Sequence, residues 1–249
     1  KREKITCNLV IAADGRNSKA RSYAGFKTYN HRYNQNAYIF NVEHELNHNG
    51  VALEKFFPEG PLAILPMRKS NNAFQSSVVW TIDDELGDFT DISKEFFKTE
   101  FLLRYDNYLG KVIKISNPKR YPLNLVYSRE CFKDKIVLIG DASQAIHPIA
   151  GQGFNLGIRD CQSLAKTILN ANEKKLNFGS REVLLEYSKR RNLDQKLFIN
   201  STHFLNKIFS NNYKTIRFFR NNGLRIVQRL PKIKKQLMST AMGLKRWSL

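Results

Sequence analysis

The chain has 249 residues, 42% of them hydrophobic and 25% charged, and its 41 Lys and Arg against 22 Asp and Glu give a formal net charge of +19. Those are the proportions of a globular chain of one to two domains with a sizeable core. No apolar run approaches the roughly 18 to 20 residues of a bilayer-crossing helix, and three scattered cysteines without CxxC pairing argue against a disulfide framework or a cysteine zinc site.

Ile5 to Ala13 reads as a buried strand that ends in Asp14-Gly15. Ser18 can cap a following turn, and Arg16 and Arg21 place positive charge nearby. Beyond it the texture changes. Asn36–Glu45, Val51–Phe57, Leu62–Met67 and Phe74–Ile82 read as strands divided by Asn-Gly, Pro-Glu-Gly-Pro and Ser-Asn-Asn turns. Ile92 to Leu109 has helical spacing, with Phe96, Phe97, Phe101 and Leu102 near one face, and Val112–Ser116 and Leu123–Tyr127 return to strand. Phe56 and Phe57 suit either core or a pocket wall.

His44-Glu45-Leu46-Asn47-His48 satisfies H-E-x-x-H, which on a helix presents two zinc ligands and a base. Here Tyr38 to Val42 alternate like a strand and Asn49-Gly50 ends the segment, so a strand end or turn is the reading and no metal ligand is assigned. Cys7 and Cys161 fall in apolar or helical patterns, where a free thiol packs as a small hydrophobe.

Residues 136–160, IVLIGDASQAIHPIAGQGFNLGIRD, carry the most chemistry. Ile136 to Ile139 reads as a buried strand stopping at Gly140-Asp141, and α/β folds bind ligands at the carboxyl ends of such strands. Gly151-Gln152-Gly153 then leads into a helix from Phe154 to about Asn170. That helix start aims free N–H groups and a positive dipole end outward. A carboxylate suits sugar hydroxyls, and a helix N-terminus suits an anion. The plain alternative is a Gly-rich turn feeding an ordinary helix. His147, between the two features, suits either a ligand-seating role or a loop histidine bonded to backbone.

From Leu184 onward the chain reads as helices, with turn signals at Asn211-Asn212, Asn221-Asn222-Gly223 and Pro231. Residues 181–249 hold 16 Lys and Arg against Glu182, Glu186 and Asp194, and no acid follows Asp194. Such a segment attracts anionic lipid or nucleic acid. No nucleic-acid-binding motif accompanies it, so an anionic membrane surface is the expected partner.

The 136–160 segment resembles the GD motif of flavin-dependent aromatic hydroxylases of the para-hydroxybenzoate hydroxylase type. His147-Pro148-Ile149-Ala150-Gly151-Gln152-Gly153 with Asn155-Leu156-Gly157 is similar, more narrowly, to the ubiquinone-biosynthesis hydroxylases. Ala13-Asp14-Gly15, Ser18 and Arg21 resemble the DG motif of the same family. Phe56-Phe57-Pro58-Glu59-Gly60-Pro61 resembles its substrate domain, and Leu205–Phe209 with Arg220–Leu224 and Ala241–Gly243 its tail. The family's Gly-x-Gly-x-x-Gly fingerprint is absent. Gly151, Gly153 and Gly157 have the wrong spacing and context. Because the chain opens on Lys1 and almost at once enters a strand, the amino-terminal half of the flavin domain is expected to lie outside it.

The resemblance implies an α/β fold: an incomplete Rossmann-like FAD/NAD(P)-binding sheet, an inserted and mostly antiparallel substrate domain, and a carboxy-terminal helical segment. The expected divisions are 1–27 and 131–180 for the FAD-binding part, 28–130 for the substrate domain and 181–249 for the basic helices. It further implies FAD, with NADPH or NADH as co-substrate, and hydroxylation of a polyprenyl phenol by O2 through a flavin hydroperoxide. Other ubiquinone-biosynthesis proteins are further candidate partners, no nucleic acid is expected, and the location implied is cytoplasmic, on the inner face of a membrane. Cofactor contacts fall on Asp14, Gly15, Arg16, Gly140, Asp141, Pro148, Gly151, Gln152, Gly153, Phe154 and Asn155, with His147 and Pro148 as the candidates beside the flavin. The alternatives are a flavin-dependent enzyme of another lipid, such as a geranylgeranyl reductase, and a non-catalytic basic scaffold.

Overall fold

The computed structural model of the chain describes residues 4–69, 73–84, 93–148, 151–209 and 214–241. Ile149, Ala150, Asn211, Asn212, Met242, Gly243 and Trp247 lie outside the described residues. The chain forms two compact units, one of residues 1–31, 124–206 and 218–249, the other of 32–123 and 207–217.

The second unit is an antiparallel sheet with one covering helix. Strand β2 (Thr28–His44) pairs with β5 (Phe74–Asp83), β5 with β4 (Gly60–Pro66), β4 with β3 (Leu53–Phe57), and β6 (Val112–Ile115) with β2. Period-2 alternation sends Tyr38, Phe40 and Val42 to the same face as Leu62, Ile64, Val78, Trp80 and Ile82. Helix α2 (Lys94–Tyr105) lays Phe97, Phe101 and Tyr105 on that face, with the Phe101 ring edge-on to Phe40 at 4.9 Å. The helix is shorter than its apolar spacing suggests. Ser93 caps its start and Asp106, in the left-handed region at φ 55°, stops it before Leu109. Phe57 joins the core edge, whereas Phe56 is exposed and stacks on Phe209 at 4.2 Å.

In the first unit, β1 (Val10–Ala12) runs parallel to β9 (Ile136–Leu138), which pairs antiparallel with β8 (Phe132–Lys133). Strand β7 (Lys119–Ser128) pairs at its end with the two-residue β10 (Gln144–Ala145). Helix α1 (Lys19–Tyr23) follows β1, and helices α3 (Gly153–Glu173) and α4 (Arg181–Phe209) follow β10. Leu164 of α3 and Leu184 and Tyr187 of α4 bury Val137 and Cys131, while Ala12, Phe26 and Leu138 form an adjoining cluster.

Two readings of this unit need correction. The strand spans three residues rather than Ile5 to Ala13, and its Val10 and Ile11 are 38% and 46% exposed, because β1 is an edge strand paired on one side among the described residues. Cys7 and Cys161 are exposed rather than packed, since Cys7 precedes the strand and Cys161 is on the outer side of α3; only Cys131 is buried.

Helices α5 (Lys214–Arg229) and α6 (Pro231–Ala241) complete the described chain. Asn221-Asn222-Gly223 is no turn. The helix runs through it, with Asn222 Nδ2 giving its hydrogen bond to the Phe218 carbonyl one turn back at 3.0 Å. Pro231 opens α6 at a position where its missing N–H is no loss.

Candidate functional site

Asp14 and Asp141 leave the carboxyl ends of neighbouring parallel strands. Ala12 pairs with Leu138, and the next amide, Ile139, donates to the Ala12 carbonyl at 3.0 Å. The chains diverge beyond that point. Gly15 turns at φ 82° into α1, and Gly140 at φ 57° into a short 3-10 turn over Gly140–Ala142. Both carboxylates are exposed.

The two turns are bound to each other. Ser18 caps α1 by accepting from the Arg21 amide at 3.0 Å, which directs the Arg21 side chain inward. Its Nη1 then donates to the Ala142 carbonyl and its Nη2 to the Arg16 carbonyl, both at 2.8 Å, and the residue is 7% exposed. Asp14 accepts from the Ala20 amide at 3.1 Å, and the Ser18 hydroxyl, with that amide second, holds its carboxyl below the ordinary carboxylate range. His147 is buried. Loss of hydration, with the Arg16 charge second, pushes its pKa down to about 4, so the ring is neutral at pH 7.

Past Pro148 the described chain resumes at Gly151, whose amide donates to the Pro148 carbonyl at 2.8 Å and whose φ is 58°. Helix α3 starts without a side-chain cap on Gln152 and without an acid in its first turn. Its first intrahelical bond is from the Leu156 amide, so the Gly153, Phe154 and Asn155 amides lie ahead of the ladder. Phe154 and Asn155 are exposed, and a Cβ built on Gly15, Gly151 or Gly153 meets nothing within 4 Å. Gly157 lies against the Gly-Asp turn, where a Cβ on it would stand 3.5 Å from the Gly140 Cα.

One residue holding this arrangement escaped the reading of the sequence. Asp160, fully buried on α3, accepts from the Gly140 amide at 2.9 Å, Gln144 Nε2 at 2.9 Å, Arg191 Nε at 2.6 Å and Gln195 Nε2 at 3.2 Å. It binds the Gly-Asp turn to α3 and α4 together. The signal was present, for Asp160 falls at helical spacing between Leu156 and Leu164 on the buried face.

His44 and His48 belong to the second unit. His44 ends β2 with both ring nitrogens engaged, by the Leu46 carbonyl and Ser76 Oγ at 2.9 Å each, and His48 binds the Met67 carbonyl at 2.9 Å and the Gly50 amide at 3.0 Å.

Chemically, the site offers an exposed carboxylate beside an open, uncapped helix N-terminus. That combination fits the ribityl hydroxyls of a flavin and the anionic N1 region of its reduced ring. The residues present fit that end of FAD. They include no glycine fingerprint for the pyrophosphate.

Comparison with known proteins agrees. The family model of the FAD binding domain matches residues 1–200. Ubiquinone hydroxylase UbiL of Rhodospirillum rubrum is 35% identical over 96% of this chain and 55% of its own length. The 3-demethoxyubiquinol 3-hydroxylase of Escherichia coli is 31% identical over 97% of this chain and 61% of its own. This chain therefore spans little more than half of these curated relatives. Among solved structures, p-nitrophenol 4-monooxygenase PnpA from Pseudomonas putida superposes with a TM-score of 0.75 at 19% identity, over 97% of this chain and 60% of that one, which establishes the α/β fold. With turns, helix start and relatives in accord, the chain belongs to the FAD binding domain family of flavin-dependent hydroxylases, with ubiquinone hydroxylases among its relatives.

Proposed function

We propose that this chain provides the flavin-ring and substrate side of an FAD-dependent monooxygenase that hydroxylates a polyprenyl phenol in ubiquinone biosynthesis, with NADPH or NADH and O2 as co-substrates. The observation that carries the reading is the pair of aspartate turns at the ends of adjacent parallel strands, the second packed on α3, whose start is free of acids. The substrate assignment is supported by the names of the relatives, ubiquinone hydroxylases among them.

On this reading Asp141 would accept from ribityl hydroxyls, and the Gly153, Phe154 and Asn155 amides would meet the anionic part of the reduced ring. Gly151 and Gln152 would let the backbone approach the flavin, Gly140 and Pro148 would border it, and Asp14, Gly15 and Arg16 would flank its phosphates. Bound flavin supplies the redox chemistry and oxygen activation, which is why the motif residues include no nucleophile and no acid–base pair. Neutral His147 and Ala142, Ala145 and Ile146 form a dry backing for the Gly-Asp segment.

The test is a flavin titration of the purified protein. Saturable quenching of FAD fluorescence is expected, weakened about tenfold or more in Asp141→Ala by loss of a charge-assisted hydrogen bond of about 1.5–3 kcal/mol. Equal binding by wild type and variant overturns the assignment.

A peripheral seat on the inner, cytoplasmic face of an anionic membrane belongs to the same proposal. No described helix is long and apolar enough to cross a membrane. Helices α5 and α6 are without acids, and Phe218, Ile226, Leu230, Ile233 and Met238 are exposed among their basic residues. Each Lys or Arg near anionic lipid contributes about 1 kcal/mol, screened by salt. Co-sedimentation with phosphatidylserine vesicles, abolished by high salt, is expected. Equally poor binding to neutral and anionic vesicles refutes it, and tight DNA binding in the same format favours the scaffold reading.

A further inference from the structure

Within the first unit, helix α4 and the strand ends beside it enclose a cavity of about 380 Å3 that the flavin reading leaves unused. Its depth is set by buried Leu125 and Ile199 and by the buried amides of Gln144 and Gln195. Both amides donate to Asp160, whose charge is met by Arg191 and so does not oppose an anion in the cavity.

The remaining lining has a consistent chemistry. Tyr29 and Tyr127 form one wall, their ring centroids 5.3 Å apart and 37° from coplanar. His203 faces the cavity margin with its ring edge-on to His31 at 5.3 Å. Arg129 and Lys196 bring two cations, neither paired with an acid among the described residues. Ser128 Oγ is buried there without a hydrogen-bond partner among the described residues, and Asn192 and Asn200 add exposed amides. Among the described residues, no acidic side chain lines the cavity.

We propose that this cavity is a binding site for a small organic phosphate carried on a flat ring. Arg129 and Lys196 with His203 can meet a dianion, and guanidinium geometry matches phosphate oxygens in pairs. Ser128, Asn192 and Asn200 can donate to the remaining oxygens. The tyrosine pair offers aromatic faces to the ring, and the volume lies in the range of small-ligand sites, about 300–1,000 Å3. An acyl chain is disfavoured because amides and hydroxyls outnumber the two aliphatic residues. A mononucleotide and an aryl phosphate share this chemistry.

Isothermal titration of the whole chain with phenyl phosphate, adenosine monophosphate, adenosine and inorganic phosphate tests the site without reference to flavin. At least one ring-bearing phosphate is expected to bind about tenfold or more tightly than adenosine or inorganic phosphate. Tighter adenosine monophosphate identifies the nucleotide source, and tighter phenyl phosphate the aryl source. Arg129→Glu and Lys196→Glu alter exposed side chains, so circular dichroism and melting temperature are expected to stay constant while affinity falls about tenfold. Tyr29→Ala is expected to erase the preference for a ring. Inorganic phosphate binding as tightly as both ring-bearing phosphates, unchanged affinity in both charge reversals, or no binding heat from any probe overturns the proposal.

Discussion

Arg191 Nε donates to Asp160 Oδ1 at 2.6 Å inside the first unit, with the two side chains 5% and 0% exposed. The pair joins α4 to α3, and the other carboxylate oxygen extends the link to the Gly140 amide. Removing one partner of a buried ion pair strands the other charge, at about 3–5 kcal/mol. Asp160→Ala is therefore expected to lower the urea midpoint sharply, and Asp160→Ala with Arg191→Met to recover part of the loss. A double variant no more stable than the single one would show that the partners act separately.

His147 makes stability depend on pH. Its folded pKa of about 4 lies below the ordinary 6.5, so between those values the unfolded chain binds the extra proton. Stability therefore falls as pH drops from about 6.5 towards 4, by up to about 3 kcal/mol from this group, and its contribution levels off below 4. Urea midpoints of wild type and His147→Gln between pH 4 and pH 7 should converge towards the acid end. Parallel curves would remove His147 as the cause.

Two glycines should part company on substitution. Gly153 has a helical backbone and open space at its Cβ direction, so Gly153→Val is expected to keep the fold while FAD binding weakens. Gly140 sits at φ 57°, where a Cβ is strained by about 1–2 kcal/mol, so Gly140→Ala is expected to lower the melting temperature as well. Unchanged FAD binding by Gly153→Val would move the flavin away from this helix start.

His44→Ala removes one buried and one part-buried hydrogen bond at a strand end and should destabilise the second unit by about 1–3 kcal/mol. Metal content by elemental analysis should be unchanged, and one zinc per chain lost with the variant would reverse the reading.

Much of this was legible in the sequence because the signals were local. The apolar run before Gly140-Asp141, the glycines before α3 and the alternation along β2 each depend on neighbours a few residues apart. Asp160 was missed because an acid in a helix reads as a surface residue until its partners, Arg191 and Gln195, come from another helix. Asn221-Asn222-Gly223 misled for the opposite reason. Its turn propensity is real, but in α5 the amide of Asn222 turns back to bond its own helix. The apolar run from Ile5 overstated burial because pairing, not composition, decides how much of an edge strand is covered.

The bond from Arg21 to Ala142 joins residues 121 positions apart. Closing so long a loop is an entropic barrier met before the contact rewards it. The Ser18 cap and the Gly15 turn need only neighbouring residues, whereas the link between the Asp14 and Asp141 turns is a contact of the kind that slows folding. During synthesis 121 positions must follow Arg21 before Ala142 can meet it.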